Sequence, residues 1–479
     1  MRILAADYIL PAAGSAWIEG GALVVADGRV RDSGRRADVT ARWPQVSVMD
    51  LGHAAILPGF VNAHQHGRGL SQMLLGYADD ALEPWIASRR RHGPPDIYAV
   101  TRLAAEAMLA NGVTATLHAN YAYGSGDYEQ ELDATIRAYA DSGLRATICV
   151  GYQDRGYRIY PGSGGMQHDD VPSIEPYAGS LNETFQLMDR LQAGWAGTAT
   201  LSFAYGPAGP QWVSDEAWRA LAADAVERQC GLHFHLLESP AQAQACRALY
   251  PEGTLARLGS LGVFHARTSC AHGVYLGEAD LRIARDNGLV IVANPGSNLR
   301  LYNGMPPLPA ILAAGCTLAV GTDNAALSDD EDYLRELRLA TIGARRPGIE
   351  GEGPSADQAL AIATLNGSQA AFLPQNSGVL EDGAPADLVA LGLDRIVGEG
   401  ATPPIDLLDL VMGRGHGRDV VLTMIAGEIR YRAGEADRQR LEHWRSLAAR
   451  SVSTRFEAEA AETVAACRTR IRDHYTRAG

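Results

Sequence analysis

Short apolar runs and amphipathic stretches alternate along most of this chain. β-Branched and aliphatic runs at Val113–His118, Leu144–Val150, Thr198–Phe203, Leu232–Leu237, Arg267–His272, Leu289–Ala293 and Leu318–Gly321 read as buried strands, and the run ending at His64 makes an eighth. Between most of them the apolar positions recur at helical spacing. In Tyr98–Asn111 they are Val100, Leu103, Ala104, Ala107 and Met108, and Asp215–Gln229 shows the same period. Strand and helix in strict alternation predict a parallel sheet, and eight such units predict a closed (β/α)8 TIM-like barrel of the α/β class.

The two ends of the chain read differently. Tyr8-Ile9-Leu10, Ala22–Val25 and Val46–Met49 are short strands separated by turns, in a segment too small to hold a core alone. Strand-rich sequence returns at Ala386–Leu391 and Val420–Ile425. The expected organisation is therefore a discontinuous small β-sandwich from residues 1–57 and 378–434, a barrel over 58–377, and a C-terminal helix over 435–479. That tail carries a packing stripe of Leu441, Trp444, Leu447, Phe456, Val464 and Ile471. The Gly-, Tyr- and Arg-rich stretch Gly151–Glu175 is expected to be a substrate loop or lid.

Composition narrows the chemistry. A chain of 479 residues, 46% hydrophobic, can bury a large core, which excludes a disulfide scaffold. The six cysteines are scattered without Cys-x-x-Cys spacing and fit a reducing compartment. Charges fall too early for a secretory signal, and no apolar run approaches the roughly 20 residues of a membrane span, so a soluble cytoplasmic protein is expected. A net charge of −14 argues against nucleic-acid binding. All 42 basic residues are arginine, which removes Schiff-base chemistry, a P-loop lysine and any lysine-derived metal bridge.

Candidate chemistry gathers at the C-terminal ends of the predicted strands, where barrels place their active sites. Pro58–His66 runs from an apolar strand into His64-Gln65-His66, whose imidazoles can face one point. With 13 histidines in the chain, one His-x-His pair arises by chance about a third of the time, so the pair alone is weak. However, His235 and Glu238 end the fifth strand, His272 the sixth and Asp323 the eighth. Imidazoles with a carboxylate suit one divalent ion, zinc first, with iron(II) or manganese(II) able to use the same donors. His233 is read as facing away from His235, packed outside the barrel, whereas His118 ends the second strand and is a candidate for the pocket.

These stretches resemble the amidohydrolase superfamily, in its nucleobase-deaminase and s-triazine-hydrolase branch. The resemblance runs from Leu57-Pro58-Gly59 to Met424-Ile425-Ala426-Gly427. It includes His235-x-x-Glu238, Ala271-His272-Gly273, Asn294-Pro295-Gly296-Ser297-Asn298, Leu318–Asp323 and Ala363-Thr364-Leu365-Asn366-Gly367. It implies a mononuclear site in which His64, His66, His235 and Asp323 hold the metal while Glu238, His272 and Asp323 serve the reaction. Metal-bound hydroxide would attack an sp² carbon of a heterocycle, Asp323 would take the water's proton, Glu238 would protonate the ring nitrogen, and His272 would orient the water or the forming oxygen.

For the substrate, Arg68, Trp85, His118 and Arg158 are the candidate contacts, with Arg155 and Arg89–Arg91 nearby in sequence. Arginines at a barrel mouth suit a substrate carboxylate. Adenosine-type relatives carry histidine where this chain has Ala208, and many carry histidine where it has Ala293, which argues against a nucleoside. The expected function is hydrolytic deamination of a small, carboxylate-bearing nitrogen heterocycle. The alternatives are dechlorination, cyclic amide opening, or loss of sulfide from a thiohydantoin propionate. A non-catalytic barrel scaffold is disfavoured because every ligand is retained, and the long C-terminal helix permits a homo-oligomer.

Overall fold

The structure is a computed structural model that describes residues 1–76, 78–88, 95–155, 160, 179–398, 405–453 and 458–478. Its strands in chain order are β1 (Arg2–Ile9), β2 (Ile18–Ala26), β3 (Arg29–Arg35), β4 (Val48–Asp50), β5 (Ala54–Pro58), β6 (Phe60–Gln65), β7 (Val113–Asn120) and β8 (Arg145–Tyr152). There follow β9 (Leu201–Pro207), β10 (Gly231–Leu236), β11 (Arg267–His272), β12 (Val290–Ala293), β13 (Leu318–Val320), β14 (Leu388–Gly392), β15 (Val420–Ile425) and β16 (Glu428–Arg432).

Strands β6 to β13 lie side by side in sequence order, all parallel. The ring closes at its C-terminal rim, where Gln65 bridges Asp323. There the Asp323 amide donates to the His64 carbonyl at 3.0 Å, and the His66 amide donates to the Asp323 carbonyl at 2.9 Å. The (β/α)8 barrel expected from the alternating pattern is therefore present, with seven of its strands close to their predicted places. The fourth begins about three residues later than expected, because Ala199 and Thr200 form a turn and the strand continues through Gly206-Pro207 instead.

Alternation sorts the barrel side chains into two layers. Val61, Ala115, Leu117, Cys149 and Ala204 face inward and pack with Phe372, which helps plug the floor. Leu232, Phe234 and Leu236 face outward with Ile148 and Val320, against helix residues such as Met108, Ile136 and Trp218. Helix ends follow local chemistry: the Asp96 carboxylate accepts from the Ala99 amide and starts Ile97–Ala110, and Gly143 ends Tyr128–Ser142 in the left-handed conformation.

The chain ends combine in a second sheet of order β16-β15-β14-β5-β1-β2-β3, with β4 beside β1. It is discontinuous, as the sequence predicts, because β14 pairs antiparallel with β5. Gly59 links β5 directly to β6, and a Cβ there would fall 2.1 Å from the Thr114 hydroxyl, so no side chain fits. The tail is two helices, Glu435–Ser453 and Ala458–Ala478, where one was expected. In the first, Leu441, Trp444 and Leu447 pack against Leu70, Val100 and Leu103. In the second, Ile471 packs with Ala87, and Arg468 and Arg472 pair with the buried Asp80. Phe456 lies outside the described residues. Among the described residues no helix is long and apolar enough to cross a membrane.

One ion pair ties sheet to barrel. Arg145 at the start of β8 donates to Asp387 from Nε at 2.8 Å and from Nη2 at 3.2 Å, and the Ala426 amide donates to the same carboxylate at 2.7 Å. Both side chains are nearly buried, at 11% and 12% exposure. Replacing Asp387 by Ala strands the guanidinium, and a cost of about 3 kcal/mol is expected. Urea unfolding would read this as a lower midpoint, and an unchanged midpoint would refute it.

Candidate metal centre and active site

The barrel rim brings His64, His66, His235 and Asp323 together from three strand ends. His66 Nε2 lies 3.2 Å and His64 Nε2 3.6 Å from Asp323 Oδ1, and His235 Nε2 lies 3.3 Å from His66 Nε2. Donors bound tetrahedrally at 2.0–2.1 Å stand about 3.3 Å apart, so this spacing fits a cation of zinc's size. The neighbouring backbone is adapted to it. Gly321 must be glycine, because a Cβ would meet the His64 Cβ at 2.8 Å, and Asp323 takes φ +64°, a conformation unfavourable for a non-glycine residue.

Hydrogen bonds aim the donors. The His66 ring donates from Nδ1 to the Ala119 carbonyl at 2.7 Å, which leaves Nε2 as a lone pair directed into the cluster. The Tyr121 hydroxyl lies 3.1 Å from His235 Nδ1, and Ser297 donates to Asp323 Oδ2 at 2.5 Å. His64 Nε2 and His272 Nε2 are buried with no hydrogen-bond partner. Buried orphan nitrogens beside a carboxylate are what a ligand set looks like without its cation, and the residues fit a divalent ion.

Electrostatics sets Glu238 apart from the imidazoles and Asp323. Burial holds the His66 and His235 rings well below the usual imidazole range, hence neutral. Burial works against the Asp323 charge, but the facing imidazoles of His64, His66 and His272 outweigh it and hold the carboxyl well below its ordinary range. Glu238 moves the other way: burial first, then the Asp323 and Glu83 charges, push its carboxyl well above the usual value. Its Oε2 lies 3.7 Å from His272 Nε2, and Asn303 donates to its Oε1 at 3.2 Å. His272 sits at φ +73°, donates from Nδ1 to Asn298 Oδ1 at 2.8 Å, and is lowered by burial to about 4.

A pocket opens onto this cluster, with His66, His235, Glu238 and Asp323 at its polar end. Leu70, Leu82, Trp85, Ile86, Trp212 and Leu301 form an apolar wall, and Val452 reaches in from the C-terminal tail. Trp85 thus lines the pocket, with its indole N–H donating to Gln72. Arg68 also lines it; it is half-buried, packs over the Tyr123 ring, and makes no ion pair among the described residues. Arg158 and Arg89–Arg91 lie outside the described residues.

Two placements correct the sequence reading. His118 does not line the pocket: Ala115 and Leu117 face inward, so alternation turns His118 out, where its ring meets the Tyr139 hydroxyl at 3.0 Å and Asn120 at 3.1 Å. His233 is not packed outside. Residues two apart share a face, so it points inward with His235, and its Nε2 lies 2.8 Å from His64 Nδ1. Tyr121, Ser297, Asn298 and Asn303 were given no role from sequence. Ser297 and Asn298 sit in the Asn-Pro-Gly-Ser-Asn stretch, which was the available signal, while Tyr121 and Asn303 carried none.

Behind the ligands, Gln65 and Thr322 both donate to the buried Glu331 carboxylate, at 2.9 and 2.5 Å, and Asn62 donates to Thr322 at 2.7 Å. Burial pushes Glu331 up to about 7, above an exposed glutamate's 4.5. The native chain therefore binds this proton more tightly than the unfolded chain. The contribution to stability is full below about pH 4.5 and is lost as pH rises through about 7. Glu331→Gln should flatten that fall, as read by urea unfolding from pH 5 to 8, and parallel pH profiles for the two proteins would refute the assignment.

The comparisons with known proteins agree with this geometry. The profile of the amidohydrolase family matches residues 55–430. A 5-methylthioadenosine/S-adenosylhomocysteine deaminase of Moorella thermoacetica is 29% identical over 445 residues, covering 91% of this chain and 95% of that protein. One from Nitratidesulfovibrio vulgaris is 30% identical over 427 residues, covering 88% and 90%. An adenosine deaminase structure from Xanthomonas campestris with bound zinc superposes with a TM-score of 0.78 at 26% identity, covering 94% of this chain and 99% of that one. The zinc complex of atrazine chlorohydrolase from Arthrobacter aurescens shares the fold, with a TM-score of 0.77 at 23% identity over 93% of this chain and all of that one. The chain belongs to the amidohydrolase family and is a metal-dependent hydrolase acting on carbon–nitrogen or related bonds of a heterocycle.

Proposed function

We propose that this chain hydrolytically deaminates a small nitrogen heterocycle that carries an anionic group, with one divalent ion, zinc first, as cofactor. The observation that carries the reading is Glu238: a buried carboxyl disposed to keep its proton, on the pocket wall beside a cluster of four metal donors. His64, His66, His235 and Asp323 would hold the ion, whose chemistry is Lewis-acid activation of water near neutral pH. Asp323, held as a carboxylate, would accept a proton from the attacking water. Glu238 delivers its proton to a ring nitrogen, so charge does not build up on the ring as the carbon becomes tetrahedral. His272, neutral and held by Asn298, keeps Nε2 as an acceptor beside Glu238 and orients the attacking water.

Arg68 supports the anionic substituent, because it is the one cationic side chain among the described lining residues and lacks a carboxylate partner there. The apolar wall around Trp85 and Trp212 suits the ring's faces. Ala208 on the same wall offers a methyl group where adenosine-type relatives present a histidine, which supports a substrate other than a nucleoside.

The test is a panel of amino-, chloro- and thio-substituted heterocycles, with and without a carboxylate, assayed for ammonia, chloride and sulfide in the zinc-loaded protein. Ammonia from a carboxylated amino heterocycle is expected, and release of only chloride or only sulfide would overturn the deaminase reading. Glu238→Gln should lower kcat by roughly 10²–10⁴ with metal content intact. Arg68→Met should raise KM about 10- to 100-fold with kcat nearly unchanged, and an unchanged KM would refute the anionic contact.

A further inference from the structure

The hydrogen bonds behind His64 decide which of its nitrogens carries the proton, and the residues that decide it are not ligands. His64 Nδ1 lies 2.8 Å from His233 Nε2, and His233 Nδ1 lies 2.8 Å from Ser269 Oγ. The Ser269 hydroxyl in turn donates to the Ala370 carbonyl at 2.9 Å. Each of these four residues is fully buried, so water cannot substitute for a missing partner.

Protons can run along this row in two self-consistent ways. In one, Ser269 donates to Ala370, His233 donates from Nδ1 to Ser269, and His64 donates from Nδ1 to His233. His64 Nε2 is then a bare lone pair. In the other, Ser269 donates to His233 Nδ1 and His233 donates from Nε2 to His64 Nδ1, so the bond to Ala370 is given up, His64 Nε2 carries the proton, and that nitrogen cannot bind a cation.

The Ala370 carbonyl breaks the tie, because a carbonyl only accepts. Ala370 is the last residue of the helix Leu365–Ala370, and the residue four further on is Pro374, which has no N–H to offer. The reversed row would leave that buried acceptor without the Ser269 donor, so the first setting prevails.

We propose that His233 and Ser269 are positioning residues for the metal, a relay anchored on the Ala370 carbonyl that keeps His64 Nε2 unprotonated toward the ion. The proposal rests on the metal-centre reading above. It also gives Ala370 and its neighbour Ala371, which follows the helix, different duties: the Ala371 carbonyl accepts from Thr147 at 2.6 Å and fixes the floor, while the Ala370 carbonyl sets a proton.

The experiment measures zinc affinity of the full chain by chelator competition, without substrate, so its outcome is independent of which reaction is catalysed. Three variants are compared: His233→Gln, whose amide oxygen can still accept from His64 Nδ1, His233→Leu, which cannot, and Ser269→Ala. Expected losses are within about threefold for His233→Gln, 10- to 100-fold for His233→Leu, and about tenfold for Ser269→Ala. The relay is overturned if His233→Leu and Ser269→Ala bind zinc as tightly as the parent. It is equally overturned if His233→Gln is as weak as His233→Leu while both keep the parent's thermal midpoint. Should His233→Leu fail to fold, Ser269→Ala decides alone, since it removes a single oxygen. A parent chain that binds no zinc overturns the metal-centre reading itself, whereas a parent that binds with unaffected variants overturns only the relay.

Discussion

The barrel closes on the residues of its donor cluster. Between β13 and β6 the seam at the rim is made by backbone bonds of His64, His66 and Asp323, the residues whose side chains converge on the cluster. Ligand positions are therefore set by ring closure, a property of all eight strands, and only secondarily by rotamer choice. Gly321 lets β13 come close enough for this, and the Glu331 carboxylate pins Gln65 and Thr322, one from each side of the seam. A site built on strand ends in this way inherits the rigidity of the sheet.

Burial then distributes protons. Removing water disfavours charge on every titratable group, and neighbours decide how each responds. The imidazoles lose their charge and become donors for a cation, Asp323 keeps its charge because imidazoles surround it, and Glu238 keeps its proton because Asp323 and Glu83 lie near it. One enclosed volume thus contains neutral imidazoles beside a charged carboxylate and a second carboxyl that favours its proton.

The outer sheet and the tail serve the pocket more indirectly. The sheet is attached through β5, Gly59 and the Arg145–Asp387 pair, at the end of the barrel opposite the ligands. The tail reaches the other end, where Val452 joins the apolar wall and Asp80, next to the helix that bears Trp85, takes two arginines from the last helix. The pocket wall thus draws on residues more than 350 positions apart in the chain, Leu70 and Val452 among them.

Periodicity determined the barrel, because a strand buried on both faces and a helix buried on one leave different apolar spacings, and eight alternations admit few other folds. Spaced motifs at strand ends singled out the donor cluster, since His64, His66, His235 and Asp323 are donor types at the positions where barrels do chemistry. Only the tertiary structure decided the partners of those donors. That His233 serves His64, that His118 turns away toward Tyr139, and that Ser297, Asn303 and Ala370 matter at all depends on contacts between segments far apart in sequence. Local pattern encodes which face of an element is buried, whereas the partner across a packed core is fixed by strand register and ring closure, which no local stretch contains.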